Sequence, residues 1–475
     1  MSKSRKIMPF LRWLYLTLLL CFVFAWFGYR TEVKRKKGTE LNAIESLASK
    51  INQYGLQVED LFSGRLEKLE NPLWVNGPIS DNAQTINKAI EGEKGYLLFS
   101  GFNDNQELCV WLKALNSGKI IHSWHLDNKW FLQTKKDAFA KFKTDYENGF
   151  AAIDLSKEWY AKTEKALQIL HPLMLRDSSL IFSTGDNSTL FCINKKSELV
   201  WQCAATCHHS IEIDYQGNIW ACSINTNSEE SKKYGFQDDG LKKINPKTGA
   251  ILFDRPLSEI LRTNGLLRKF TYRHPSARTI AHLDPYHLND IEPILNNGAF
   301  WKKGDLLLSC RNISTIFLYR PENDSILWYK TGPWLCQHDV DVIDSCSISV
   351  FNNNVLFSQT RKRLQYHGQN QMDYLNSDSA FNSITIYNLK TDSTYNYHLS
   401  AFKENGLFTQ IQGRCQIQPD GSSFVEINNM GLLCKVDSDG KLAWKTFIPY
   451  IGNYKKMQLP TWTRYLRLEN GRFVE

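Results

Sequence analysis

"IQPDGSSFVEINNMGLLCKVDSDGKLAWK", running from Ile417 to Lys445, contains two phrases that recur along the chain. The first, "DGSSFVEI" at 420–427, is a polar turn leading into a strand-like run. It has counterparts in "KGYLLFSG" at 94–101, "QGNIWACS" at 216–223, "KGDLLLSC" at 303–310 and "NNVLFSQT" at 353–360. The second, "DGKLAWKT", is a polar turn followed by an apolar strand, and it matches "SGKIIHSW", "KSELVWQ", "TGAILFD", "NDSILWYK" and "TDSTYNYHL". These six second phrases begin near residues 117, 196, 248, 323, 391 and 439. Short strands bounded by Gly, Asn and Asp turns, repeating at this interval, are the signature of four-stranded propeller blades. The spacings of about 48 to 80 residues leave room for insertions. Six phrases predict an all-β, six-bladed β-propeller; a β-sandwich with long loops is the alternative. Segments 155–171 and 256–270 have helical spacing and are expected as helices inserted between blades.

The 475 residues are 42% hydrophobic, 22% charged and 13% aromatic, a globular composition with the aromatic content that pleated surfaces favour. The net charge of +8 invites a nucleic-acid reading. Residues 1–37, however, hold nine basic groups and one acid, Glu32, so that segment alone accounts for 9 − 1 = +8. The remainder is formally neutral, which speaks against nucleic acid as a partner.

Between Pro9 and Tyr29 only Arg12 is charged, and about 20 apolar residues suffice to cross a bilayer as a helix. Trp13, Tyr15, Trp26 and Tyr29 sit towards the two ends, as interfacial aromatics do. With no small-x-small site before "TEVKRKK", an uncleaved single-pass anchor is the expectation, a cleaved signal peptide the competitor. Leu41, Ile44, Leu47 and Ile51 then follow a helical period. The chain thus divides into a basic segment with its anchor (1–37), a helical stalk or linker (38–90) and the propeller (91–475). Ten cysteines lie beyond Cys21. "CAATC" (Cys203, Cys207) has no second pair at zinc spacing, and the others are scattered, so disulfides are allowed but not implied. Asn187, Asn312 and Asn323 each begin an N-x-Ser/Thr sequon.

Four phrases carry candidate chemistry. "HHSIEIDYQGNIW" sets His208 and His209 before an alternating strand, "DPYHLNDIEPI" does the same for His287, and "QHDVDVI" for His338. In "LLLSCRNIS", Arg311 follows an apolar strand. A lone histidine is ordinarily a satisfied structural residue. Here the arrangement of histidine, strand, turn and strand occurs three times, and blade starts of this kind share one mouth of a propeller. Three imidazoles and one guanidinium are therefore expected at a common axis.

The ordered set "HLNDI" (287–291), "SCRNISTIFLY" (309–319) and "QHD" (337–339), with the last-blade stretch quoted first, resembles the arylsulfotransferase family over roughly residues 195–450. The resemblance implies a six-bladed propeller and sulfuryl transfer from an aryl sulfate donor to a phenolic or other hydroxyl acceptor. It implies His338 as the nucleophile that becomes sulfohistidine, with Asp339 or a backbone carbonyl fixing its tautomer. Arg311 would bind the sulfuryl oxygens and His209 would stabilise them. His287 would act as general acid and base, and His208 and Asn312 would contact substrate. No metal or cofactor is required by that scheme, and by analogy the propeller lies on the trans side of a membrane (periplasm, lumen or exterior). Cys310 departs from the small residue expected in the "SCRN" phrase. Two other classes compete: a propeller that only binds or scaffolds, and a metal-dependent hydrolase using His209, His287 and His338 with Asp290 or Asp339.

Overall fold

The structure is a computed structural model that describes residues 74–76, 84–86, 88–105, 107–126, 169–184, 189–203, 205–225, 228–234, 236–271, 284–355, 381–450 and 453–475. Six sheets of at least four strands each, antiparallel but for one two-residue edge strand, form the blades of a propeller. The innermost strands are β1 (Ile169–Met174), β2 (Cys207–Ile213), β3 (Leu288–Pro293), β4 (His338–Val342), β5 (Arg414–Ile417) and β6 (Arg464–Glu469). In the blades of β1 to β5, the next three strands in sequence pair outward in order. The sixth blade is composite: β6 pairs with Tyr96–Phe102, which carries Leu108–Ala114 and Ile120–His125 outside it. The ring is thus closed by strands from opposite ends of the described chain.

All six second phrases form the outermost hairpin of a blade, from the turn before Ile120–His125 to the turn before Leu442–Phe447. The first phrases fall on second strands, with one exception. "NNVLFSQT" is not that strand; Ser347–Asn352 is, after a turn in which Cys346 N–H donates to Asp344 Oδ1. Helices Leu257–Thr263 and Leu267–Phe270 occupy the expected 256–270. Leu257, Ile260 and Leu261 put their i, i+3, i+4 face fully into a core shared with Phe317 and Tyr319. In the other expected helix, residues 155–168 lie outside the described residues, and Ile169–His171 are strand rather than helix.

Trp74–Asn76 pairs with Asn453–Gln458, and Gln84–Thr85 runs parallel to Leu442–Phe447. The compact unit that contains the propeller spans Leu73–Glu475. The segments read as an anchor (9–29) and as an amphipathic helix (about 40–62) lie outside the described residues. Among the described residues no helix is long and apolar enough to cross a membrane. The ten described cysteines are all free.

An innermost strand has one edge without a ladder partner, so its N–H groups need other acceptors. Buried carboxylates of the preceding blade supply them. Asp239 Oδ2 accepts from Leu288 N–H, Asp290 Oδ2 from Val340 N–H and Asp339 Oδ2 from Cys415 N–H, each at 2.7 Å. Glu426 accepts from Trp462 and Thr463 N–H at 2.9 and 2.6 Å. Burial, followed by the Glu212 charge, pushes the Asp290 carboxyl up to about 8. These clasps set the angular position of each blade, and through it the place of every side chain at the mouth.

Gly413, just before β5, has φ +98°, and a Cβ there would fall 2.3 Å from Phe351 Cε1. Gly413→Ala combines left-handed strain with overpacking and is expected to destabilise the fold by about 2–5 kcal/mol. Urea unfolding of the purified chain measures it.

Candidate functional site

The candidate site lies where the innermost strands begin. There the backbone adopts a left-handed conformation at His171 (φ 51°), His209 (φ 55°), His287 (φ 53°), Gln412 (φ 55°) and Trp462 (φ 65°). Bulges interrupt β1 between Leu170 and Leu173, β2 between Cys207 and Ile211, β3 between Leu288 and Asp290, and β4 between His338 and Val340. A non-glycine residue with such a φ costs about 1–3 kcal/mol, and bulges re-aim side chains. The same device in successive blades turns imidazoles toward the axis. Ring centroids of His209 and His287 are 4.8 Å apart, those of His209 and His338 6.3 Å, and those of His171 and His209 6.3 Å. The three histidines expected at a common axis do converge there, and His171 joins them.

His338 is only 2% exposed, and its tautomer follows from its neighbours. Gln412 N–H, which can only donate, points at Nε2 from 3.1 Å, so Nε2 carries the lone pair. Nδ1 therefore holds the proton and donates to Asn353 Oδ1 at 2.8 Å. The Asn353 amide is fixed in turn, because its Nδ2 donates to the carbonyls of Gln412 (2.8 Å) and Thr409 (3.2 Å). Asn353 thus sets the tautomer. Asp339, one of the two groups expected in that role beside a backbone carbonyl, spends its carboxylate on the Cys415 clasp and faces Arg414 Nε at 3.6 Å. Burial first, then the charge of Arg311, holds the His338 imidazole well below its ordinary value. It is a neutral base with a defined lone pair.

Arg311 opens a 3-10 turn, Arg311–Ile313, after strand Leu306–Cys310. Its N–H donates to the His287 carbonyl at 3.0 Å, and its guanidinium donates to Asn312 Oδ1 at 2.9 Å. Asn312, expected as a substrate contact, instead bridges within the protein: its Nδ2 donates to the Asp284 carbonyl at 2.7 Å. His287 Nδ1 donates to Asp284 Oδ2 at 2.5 Å, leaving Nε2 as the free end of a carboxylate–imidazole pair. Burial raises the Asp284 carboxyl, but the His287 charge and hydrogen bond outweigh it, and the net shift is downward.

His208 does not reach the channel as a substrate contact would. It is buried behind His209, its Nδ1 2.8 Å from His209 Nδ1 and its Nε2 3.3 Å from Asp239 Oδ1. His209 is half-buried, and burial followed by the nearby His287 holds it neutral. His171 stacks on Trp462 at 4.3 Å and is held neutral by burial and by Arg464. Sequence reading missed His171, Asn353, Gln412 and the carboxylates Asp239 and Asp284. "Asp-Pro-Tyr-His" did offer a signal for Asp284, three residues before a singled-out histidine.

The result is a patch of imidazoles, of which His171, His209 and His338 are held neutral, beside one guanidinium, with carboxylates behind it. Such a patch suits an oxyanion-rich group rather than a bare metal ion: Asp290 and Asp339, the oxygen ligands of the hydrolase reading, are both tied to backbone N–H groups. The large cavity of about 1040 Å³ in the channel is lined by other residues and by none of these histidines.

A family model described as "Arylsulfotransferase (ASST)" matches residues 171–448, more than half of the chain. The chain belongs to the arylsulfotransferase family. No curated protein matches it. Similar solved structures include a protein of unknown function from Bacteroides caccae, at 12% identity and TM-score 0.42, covering 74% of this chain and 94% of that one. A catalytically inactive virginiamycin B lyase from Staphylococcus aureus with quinupristin aligns at 9% identity and TM-score 0.36, over 75% and 85% of the two chains. A Kuenenia stuttgartiensis hydrazine synthase aligns at 8% and 0.38, over 76% and 81%. These likenesses are too distant to bear on chemistry.

Proposed function

We propose that the protein moves a sulfuryl group from an aryl sulfate ester to a phenolic or other hydroxyl acceptor through a sulfohistidine at His338. The observation that carries this reading is the neutral His338 with its Nε2 lone pair defined by Gln412 and Asn353, beside Arg311. In the first half-reaction Nε2 of His338 attacks sulfur, the N–S bond forms and the S–O(aryl) bond breaks, and the phenolate leaves with the Nε2 proton of His287, which enters this step as the imidazolium paired with Asp284. In the second, His287 takes the proton of the acceptor hydroxyl, its oxygen attacks sulfur and the S–N bond breaks. Covalent catalysis divides one hard transfer into two easier ones.

Arg311 offers planar donors to two sulfuryl oxygens, and His209 a further one as the charge shifts. The Gln412 N–H, displaced from Nε2 when sulfur arrives, becomes a donor to a sulfuryl oxygen. Asp284 keeps His287 oriented and stabilises its protonated form. The apolar segment at 9–29 belongs to the same proposal as a membrane anchor, with the propeller on the trans side. Resistance of the chain to carbonate extraction from membranes, and protease accessibility from that side, check both.

The test uses the full chain in detergent with 4-nitrophenyl sulfate, with and without a phenol acceptor. Nitrophenol release that depends on acceptor supports transfer; release indifferent to acceptor supports a hydrolase, and none across several donors supports a binding propeller. Asp284→Asn is expected to slow transfer about 100-fold, within the range of general acid–base catalysis. The loss should be larger for donors with high-pKa phenols, which need the proton most, and a flat dependence on leaving group would remove His287 from that role.

A further inference from the structure

The innermost strands start at the histidines and run away from them. The far end of each blade therefore holds the end of its innermost strand and the turn into its outermost one. Among the described residues, the exposed large hydrophobic side chains gather there: all but Tyr234 sit in far-end turns or in the three residues nearest that end of a strand. They include three consecutive pairs, Ile120–Ile121, Leu199–Val200 and Ile251–Leu252, which are 41–53% exposed. Each pair opens the outermost strand of its blade. An outermost strand is an edge, and edges are ordinarily protected by charge rather than lined with aliphatic side chains.

The three blades, those of β6, β1 and β2, are neighbours, and their outer hairpins are joined. His122 Nε2–H donates to the Lys195 carbonyl at 2.9 Å, His125 N–H to Ser197 Oγ at 3.0 Å, and Trp201 Nε1–H to the Pro246 carbonyl at 2.8 Å. The pairs thus lie along one arc of the rim. The charge of the turns follows the same arc. Turns 115–119, 194–198 and 245–250 carry Lys119, Lys195, Lys196 and Lys247 against one acid, Glu198, a net 4 − 1 = +3. All four lysines are exposed, and among the described residues none has a carboxylate within ion-pair distance. Turns 320–324, 389–392 and 437–441 of the other three blades carry three basic and five acidic residues, a net 3 − 5 = −2. Their outermost strands expose no aliphatic pair. Aliphatic side chains and unpaired positive charge therefore coincide in one half of the rim.

We propose that this arc is a docking surface for a phospholipid bilayer with anionic headgroups. At such an interface aliphatic tips enter the boundary between headgroups and acyl chains, while lysine ammonium groups reach the phosphates. A protein partner would need one face complementary to a convex arc over three blades; a bilayer needs only apolar tips and positive charge on its side. The docked propeller turns its histidine mouth away from the lipid, toward the solution that supplies soluble donor and acceptor. The surface depends neither on the sulfuryl chemistry nor on the segment at 9–29.

The test mixes the full chain, carrying p-benzoylphenylalanine in place of Val200, Leu252 or Tyr234, with two kinds of vesicle. One kind is phosphatidylcholine alone, and the other contains about one part in three phosphatidylglycerol. After illumination, mass spectrometry identifies what is attached. The docking surface predicts phospholipid adducts at positions 200 and 252 on the anionic vesicles, about tenfold or more above those at 234, which is exposed at the histidine end. Lys195→Glu with Lys196→Glu should cut both adducts about tenfold. Its melting temperature should match wild type, because both side chains are exposed. Tethering through 9–29 alone would give no dependence on these lysines. Equal adducts at position 234, yields indifferent to anionic lipid and to the lysines, or attachment to a second copy of the chain in place of lipid would overturn the surface.

Discussion

His338→Ala is expected to abolish sulfuryl transfer, with a fall of about 10⁴-fold or more in kcat/KM, while the protein remains folded. Removing an activated nucleophile costs this much because the covalent route disappears, and the remaining groups supply only binding and charge stabilisation. The substitution removes a buried ring whose hydrogen bonds include those to Asn353 Oδ1 and from Gln412 N–H. The stability loss should therefore be modest beside the kinetic one. A matched circular-dichroism melt and a stopped nitrophenol assay distinguish them. Burial and Arg311 keep the imidazole neutral well below its ordinary value, so wild-type turnover should persist on the acid side of pH 6.5. The half-reaction with donor alone checks this, and loss of its nitrophenol burst on the acid side of pH 6.5 would place the nucleophile elsewhere.

Arg464→Met carries the largest expected effect on stability. Arg464 is 1% exposed at the start of β6, the strand that closes the ring. Its Nε donates to the Pro172 carbonyl at 3.0 Å, its Nη2 to the Ile211 carbonyl at 2.6 Å, and its Nη1 to Glu212 and Glu475. One side chain thus links the blades of β6, β1 and β2. Methionine fills much of the volume but leaves half-buried Glu212 without its partner, Glu475 with Arg414 alone, and the Pro172 and Ile211 carbonyls without their donors. Breaking a buried pair from one side costs about 3–5 kcal/mol. Urea unfolding should show that loss, and a variant within 1 kcal/mol of wild type would mean the ring is closed by other contacts.

The six-fold repeat was legible because its outermost hairpins are written locally. Asn194 Oδ1 accepts from Lys196 and Glu198 N–H, and Asp437 Oδ1 from Asp439 and Lys441 N–H, so each turn carries its own chemistry within five residues. The misplacement at 353–360 has the same origin. The true turn, Asp344–Cys346, lacks glycine, whereas "FNNNV" has the look of a turn while Asn353 in fact points inward to His338.

His209, His287, His338 and Arg311 were legible because each begins or ends a strand in the same pattern. Asn353, Gln412 and His171 were not, because what makes them part of the site is the approach of blades far apart in sequence. Gln412 contributes only its backbone N–H, which no side-chain pattern can report. Asp339 shows the opposite error: adjacency to His338 suggested a catalytic partner, yet successive residues of a strand face opposite ways and its carboxylate serves the next blade.

The most direct test of the central claim is intact-protein and peptide mass spectrometry of the full chain mixed with 4-nitrophenyl sulfate and no acceptor. The account predicts a sulfuryl adduct on the peptide containing His338, discharged on adding phenol and missing in His338→Ala. An adduct on another residue, or acceptor-dependent turnover by the His338→Ala chain, would contradict it.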